Sequence, residues 1–172
     1  MEPSSGRPYM PGYGILPATE GSGLLDWSWA VERLERSHDY WVGTTWPDGR
    51  PHLTPVWGAW LDDAVWFSCS GNSRKTRNLQ RDPRCSVATD NPYEPVVVDA
   101  VAERISDATA IRSFTDAVNA KYETDYGVDF FEGNALFVGR PQSVFALDEA
   151  DFAGSPTRWR FEPLNPGEKR AP

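Results

Sequence analysis

Residues 40–70 read YWVGTTWPDGRPHLTPVWGAWLDDAVWFSCS, and the fold turns on how this run is divided. Tyr40 to Trp46 and His52 to Leu61 carry the β-branched and aromatic residues that favour strands. Between them lies PDGR, whose Asp48-Gly49 pair supplies the positive φ that a tight hairpin turn demands. Asp62-Asp63 marks a second turn, into a strand from Ala64 to Cys69. The run therefore predicts a three-stranded antiparallel meander. Pro55 has no amide proton to give to a ladder, so its strand is expected at an edge or with a bulge.

The flanking sequence completes the pattern. Ahead of the run, Trp27, Ala30, Val31 and Leu34 fall at helical spacing behind a candidate cap, Asp26. After it, Ser73 to Arg81 reads as a short helix that stops before Pro83. Arg84 to Thr89 and Pro95 to Ile105 read as two strands. Ile111, Phe114, Val118 and Tyr122 mark a second amphipathic helix, capped by Ser106 or Asp107. Leu136 to Leu147 is a long strand or one broken at Gly139 and Pro141, and Thr157 to Phe161 is a last short one. About six strands joined mostly by short turns, with helices outside, predict a mainly β barrel. Regular βα alternation, GxGxxG and GxxxxGK[ST] are all missing, which argues against a nucleotide-binding α/β fold. Residues 1–23, rich in Pro, Gly and Ser, read as a flexible N-terminal arm, and residues 162–172 as a loose tail.

Composition narrows the function. With a formal net charge of −8 and a pI near 4.7, the chain lacks the overall basic balance of a phosphate-backbone binder, so no nucleic acid is expected. No apolar stretch approaches the ~20 residues a membrane span needs. The N-terminus lacks the basic and apolar regions of a signal peptide. Cys69 and Cys85 form no CxxC and, with two isolated His, make no metal site; they read as reduced core thiols of a cytoplasmic protein. The eight Trp either build the core or wall a pocket for a flat ligand, Trp57, Trp60, Trp66 and Trp159 being the candidate walls. His38 and His52 are either proton donors or ordinary surface and hairpin residues.

Against this acidic background, residues 73–84 read SRKTRNLQRDPR, with Arg74, Lys75, Arg77, Arg81 and Arg84 within twelve positions. Ser73 is a good N-cap. Arg74 and Lys75 then occupy the first helical positions, where positive charge opposes the helix dipole by a few tenths of a kcal/mol each unless an anion is present. One reading is a solvated basic face. The other is a phosphate pocket made of free amides, the Ser hydroxyl, the Arg fork and the Lys ammonium. A preceding strand and the tight turn SGNS favour the pocket.

The combination of LLDWSWAVERLERSHDYWVGTTWPDGRPHLTPVWGAWLDDAVWFS, GNSRKTRNLQRDPRC, VVVDAVAERISD and the closing TRWRF resembles the flavin and deazaflavin oxidoreductases of the pyridoxamine 5′-phosphate oxidase-like superfamily. The resemblance spans residues 24–161 and implies a split β-barrel and a homodimer. It also implies a cofactor in grooves at the dimer interface. Matched residue by residue, Ser73, Arg74, Lys75 and Asn78 fall on the phosphate-holding motif. Thr54, Pro55, Val56 and Trp57 fall on the strand whose backbone lines the ring. The ending TRWRFEPLNPGEKRAP departs from that of the pyridoxamine phosphate oxidases proper. TPVWGAW and TRWRF look more like the branch using the deazaflavin coenzyme F-420, whose acidic tail Arg77, Arg81, Arg158 or Arg160 could meet. The expected activity is hydride transfer between reduced coenzyme F-420 and an unsaturated small molecule, with no catalytic side chain assigned. The alternatives are an FMN-dependent oxidoreductase and a non-catalytic cofactor-binding protein.

Overall fold

The computed structural model describes residues 3–162. A short strand, β1 (Ser4–Gly6), precedes helix α1 (Trp27–Arg36). Ala30 and Leu34 of α1 are fully buried while its charged residues face out, as the periodicity predicts. Asp26 holds the N-cap position of α1 but makes no side-chain capping bond. Next come β2 (Tyr40–Thr45) and β3 (Pro51–Val56), an antiparallel hairpin pairing Tyr40 with Val56 and Thr45 with Pro51. Its turn is closed by the Trp46 amide donating to the Arg50 carbonyl at 2.8 Å, with Gly49 at φ 86°. Pro55 lies on β3, which ends the main strand order as an edge.

The expected three-stranded meander is instead two hairpins. The chain leaves sheet geometry at Trp57, and β4 (Gly58–Leu61) pairs only with β5 (Ala64–Cys69), not with β3. The path just past the break requires glycine at position 58. A Cβ there would lie 2.4 Å from the Trp66 carbonyl oxygen, so only glycine fits. Side chains far along the chain hold its peptide groups: the Tyr122 hydroxyl accepts from Gly58 N at 3.0 Å, and Lys121 Nζ donates to Gly58 O at 2.7 Å. The β4–β5 turn uses Asp62 and Asp63, both in the left-handed region at φ 50° and 55°. That is the geometry of a two-residue turn of the primed type.

Helix α2 (Arg74–Arg81) follows β5 and leads into β6 (Arg84–Thr89) and β7 (Val96–Ile105). Helix α3 (Ala108–Tyr122) starts at Asp107, whose carboxylate accepts from Ala110 N at 2.9 Å. A one-turn helix, α4 (Val128–Glu132), then precedes the twelve-residue β8 (Ala135–Ala146), and β9 (Thr157–Arg160) closes the described chain. Among the described residues the strands number nine rather than about six; β1 and the break at Trp57 account for most of the difference.

β8 is where the barrel splits. β7 runs along one edge of its whole length, but the other edge is shared. Ala135 to Gly139 pair with β5, and Ser143 to Ala146 pair with β9. The β7–β8 register shifts opposite Gln142, next to Pro141. The strand expected to run long or to break at Gly139 and Pro141 is thus one continuous strand, and it takes the irregularity itself as a bulge at Gln142. Two apolar clusters result. One lies inside the barrel around Tyr40, Val87, Phe137 and Trp159, and the other under α3 around Phe114, Val118 and Trp66. Part of the N-terminal segment is laid on this body. β1 pairs with β9, and the Arg7 guanidinium donates to the carbonyls of Pro17, Glu20, Gly23 and Pro156. The expected tail lies outside the described residues except for Glu162.

Candidate cofactor site

The first turn of α2 faces the β2–β3 hairpin. Ser73 caps the helix by accepting from Thr76 N at 3.2 Å, while the amides of Arg74 and Lys75 find no acceptor among the described residues. The Arg74 guanidinium lies 3.9 Å from the centre of the Trp46 ring, a cation–π contact. Lys75 Nζ donates to Thr54 Oγ1 at 2.8 Å. Asn78, only 1% exposed, donates from Nδ2 to Thr44 Oγ1 at 3.0 Å, and its Oδ1 is buried with no partner. Two cations, two free amides and a hydroxyl thus meet around one helix end, with no carboxylate among the described residues bonded to Arg74 or Lys75. That donor set fits a phosphate group, and the orphaned amide oxygen shows that the polar interior behind it is not saturated.

The structure brings Thr54 together with Ser73, Arg74, Lys75 and Asn78. The other β3-end residues go elsewhere. Pro55 is exposed on the opposite face, Val56 is 7% exposed in the core, and Trp57 stacks on Tyr122 with ring centres 4.3 Å apart. Only their backbone remains to meet a ring system, and the free edge of β3 leaves it accessible. Of the four Trp named as candidate pocket walls, Trp60, Trp66 and Trp159 are 9%, 8% and 1% exposed and belong to the core; Trp57 at 43% does not. Arg77 donates to the Asn72 carbonyl, and Arg81 to the carbonyls of Thr45 and Trp46, so Arg81 braces the hairpin. Arg158 sits by Asp99 and Phe145 on β7 and β8, away from α2.

Three neighbours were not legible as site residues. Thr44 and Trp46 read as hairpin residues, and their role appears only when α2 packs on β2. Tyr122 is 64 positions from Gly58, and only the fold joins them. Among titratable groups nearby, burial pushes Lys121 down to about 8 and Tyr122 up to about 12.

An antiparallel barrel split along β8, with a basic capped helix set against an edge hairpin, defines the split-barrel class of cofactor-binding folds. The chain belongs to the pyridoxamine 5′-phosphate oxidase family, whose profile matches residues 30–151. Members of this family bind flavins. A conserved hypothetical protein from Mycobacterium tuberculosis shares the fold at TM-score 0.68 and 22% identity, over 86% of this chain and 95% of that one. An F-420 reductase is similar at TM-score 0.55 and 24% identity, over 66% of this chain and 93% of that one. General Stress Protein 26 from Bacillus anthracis aligns at TM-score 0.63 and 15% identity, over 78% of this chain and 97% of that one. No curated protein matches the chain in sequence.

Proposed function

We propose that the protein is an oxidoreductase that passes a hydride between reduced coenzyme F-420 and an unsaturated small molecule, working as a homodimer. The observation that carries this reading is the convergence of Ser73, Arg74 and Lys75 on one open helix end beside Thr54 of the edge strand. When bound, the deazaflavin supplies the hydride chemistry. The chain's own residues bind its phosphate at α2, offer the β3 edge to its ring and exclude water.

The dimer reading is supported by the outer face of the sheet. Pro55, Trp41, Ala88, Val97 and Phe145 are in register across five neighbouring strands and point away from the core. Trp41 is 42% exposed and Leu53, in the next row, 61%. An apolar row of this length on an outer sheet face fits burial against a second copy.

FMN is the second reading, favoured by the family match, because Ser73, Arg74 and Lys75 would hold any ribityl phosphate alike. Titration of the purified protein with each cofactor at low and high salt separates them. The deazaflavin should bind more tightly and lose more affinity with salt, because its anionic tail adds screened contacts. Arg74→Ala with Lys75→Ala should weaken either cofactor by about 1.5–3 kcal/mol per lost charged contact. Equal affinities and salt slopes would make FMN the assignment. Bound reduced cofactor that never turns over would make the protein a carrier. No effect of the double variant would place the anchor elsewhere.

A further inference from the structure

Behind the first turn of α2 runs a chain of three polar side chains that the cofactor reading leaves unused. Thr44 and His52 are cross-strand partners in the β2–β3 hairpin, and Asn78 meets them from α2. Asn78 Nδ2 donates to Thr44 Oγ1 at 3.0 Å, and the same oxygen lies 3.4 Å from His52 Nδ1. A hydroxyl has one proton to give. A neutral ring fits this chain: the Thr44 proton turns to His52 Nδ1, which accepts, and the ring carries its own proton on Nε2.

The surroundings agree. Burial, then the Lys75 ammonium and the Arg74 guanidinium, hold His52 below its ordinary value of 6.5. The other charges on this side are already engaged: Arg81 with the carbonyls of Thr45 and Trp46, Arg50 with Asp48 at 2.7 Å, and Arg84 with Asp82 at 2.7 Å. Asp99 accepts from Ser86 and Ser143. The charges acting on the ring are thus both cations, and both belong to the anion anchor.

We propose that His52 is the proton-linked member of the anion site: neutral while the first turn of α2 is empty, it takes up one proton from solvent, at Nδ1, when an anion settles against Arg74 and Lys75. The inference rests on the reading of that turn as a phosphate anchor. An anion cancels the two positive charges that oppose the imidazolium and adds an attraction of its own. The hydrogen bonds can follow the proton. His52 Nδ1–H then donates to Thr44 Oγ1, and the Thr44 proton turns to Asn78 Oδ1, the orphaned acceptor, once the amide rotates. In either state one amide atom lacks a partner, so the exchange costs no hydrogen bond. The anion is therefore held more tightly as pH falls through the His52 midpoint.

Sulfate is the probe, because it does not titrate between pH 5 and 8. The chain has two His, so ring NMR of the whole protein resolves both, and His38→Gln assigns them. Without sulfate, His52 should titrate below 6.5 and show the Nε2–H tautomer when neutral. Saturating sulfate should raise its midpoint by about one unit, matched by a roughly tenfold gain in sulfate affinity across that range. His52→Gln should bind sulfate with little pH dependence, and Arg74→Ala with Lys75→Ala should abolish binding and shift together. Sulfate that binds, is lost in the double variant and leaves the His52 midpoint in place overturns this inference while the anchor stands. A His52→Gln variant that keeps the pH dependence overturns it too. If neither sulfate nor either cofactor binds, both readings fall.

Discussion

At Gly58 a single hydrogen atom decides the path of the chain. A methyl group there would meet the Trp66 carbonyl at 2.4 Å and the Tyr40 ring at 3.2 Å, and the first of these is backbone within a paired strand. Gly58→Ala should cost about 1–3 kcal/mol, the usual toll of overpacking, read as a fall in the denaturation midpoint with an unchanged m-value. Lys121, which holds the Gly58 carbonyl, offers a second test. Burial lowers its amine from 10.5 to about 8, with Asp39 and Asp90 partly opposing that shift. The unfolded chain keeps the proton up to the ordinary value. Between about 8 and 10.5 the unfolded state therefore binds more protons than the folded one, and this group's contribution to stability rises with pH. Wild-type protein should accordingly gain stability relative to Lys121→Met as pH is raised from 8 to 10. A difference that stays flat or narrows across that window would mean the amine is not desolvated.

At the scale of elements, α2 separates what holds the scaffold from what waits for a ligand. Ser73→Ala should destabilise the cofactor-free protein by about 1 kcal/mol, because it removes the acceptor for Thr76 N. Arg74→Ala with Lys75→Ala should leave that stability within about 0.5 kcal/mol, since both residues oppose the helix dipole and hold only Trp46 and Thr54. Thermal melts of the two variants without cofactor make the comparison. The sequence shows this helix plainly because its signals are local: a cap, a basic turn and a proline past its end. The same holds for the β2–β3 turn, for β6 and for the start of α3, where Asp107 proves to be the cap of the two candidates. It fails where long-range contacts decide. Pro55 announces an edge or a bulge, but nothing near Trp57 announces a change of partner strand, because the groups that hold Gly58 are Trp66 across a hairpin and Lys121 and Tyr122 on α3. β1 is three polar residues, Ser4 to Gly6, that become a strand only because β9 offers an edge. Trp60, Trp66 and Trp159 could not be told from pocket walls until the barrel closed over Trp60 and Trp159 and α3 covered Trp66.

At the scale of the whole molecule, the outer sheet face of the described residues keeps an apolar row partly exposed, with Trp41 at 42% and Leu53 in the next row at 61%. Tyr40 and Val42 point inward and are fully buried, so Trp41 between them must point outward. It does so beside Pro55 and Ala88, in the row that continues through Val97 to Phe145. On the proposed reading a second copy covers this row, and a stable pair should bury well over ~1,000 Å². A charge placed at its centre tests the pair without touching the core. Trp41→Asp should yield a monomer by light scattering at micromolar concentration, with an unchanged far-UV circular dichroism spectrum, because the substituted side chain lies on the far face of β2 from the barrel interior. A carboxylate enclosed between two apolar surfaces costs several kcal/mol in each of two symmetric positions, enough to dissociate an interface of ordinary size. Cofactor affinity should fall in parallel if the groove needs both copies. Wild-type protein that scatters as a monomer with cofactor bound would remove the dimer from the proposal and leave the α2 anchor to act alone.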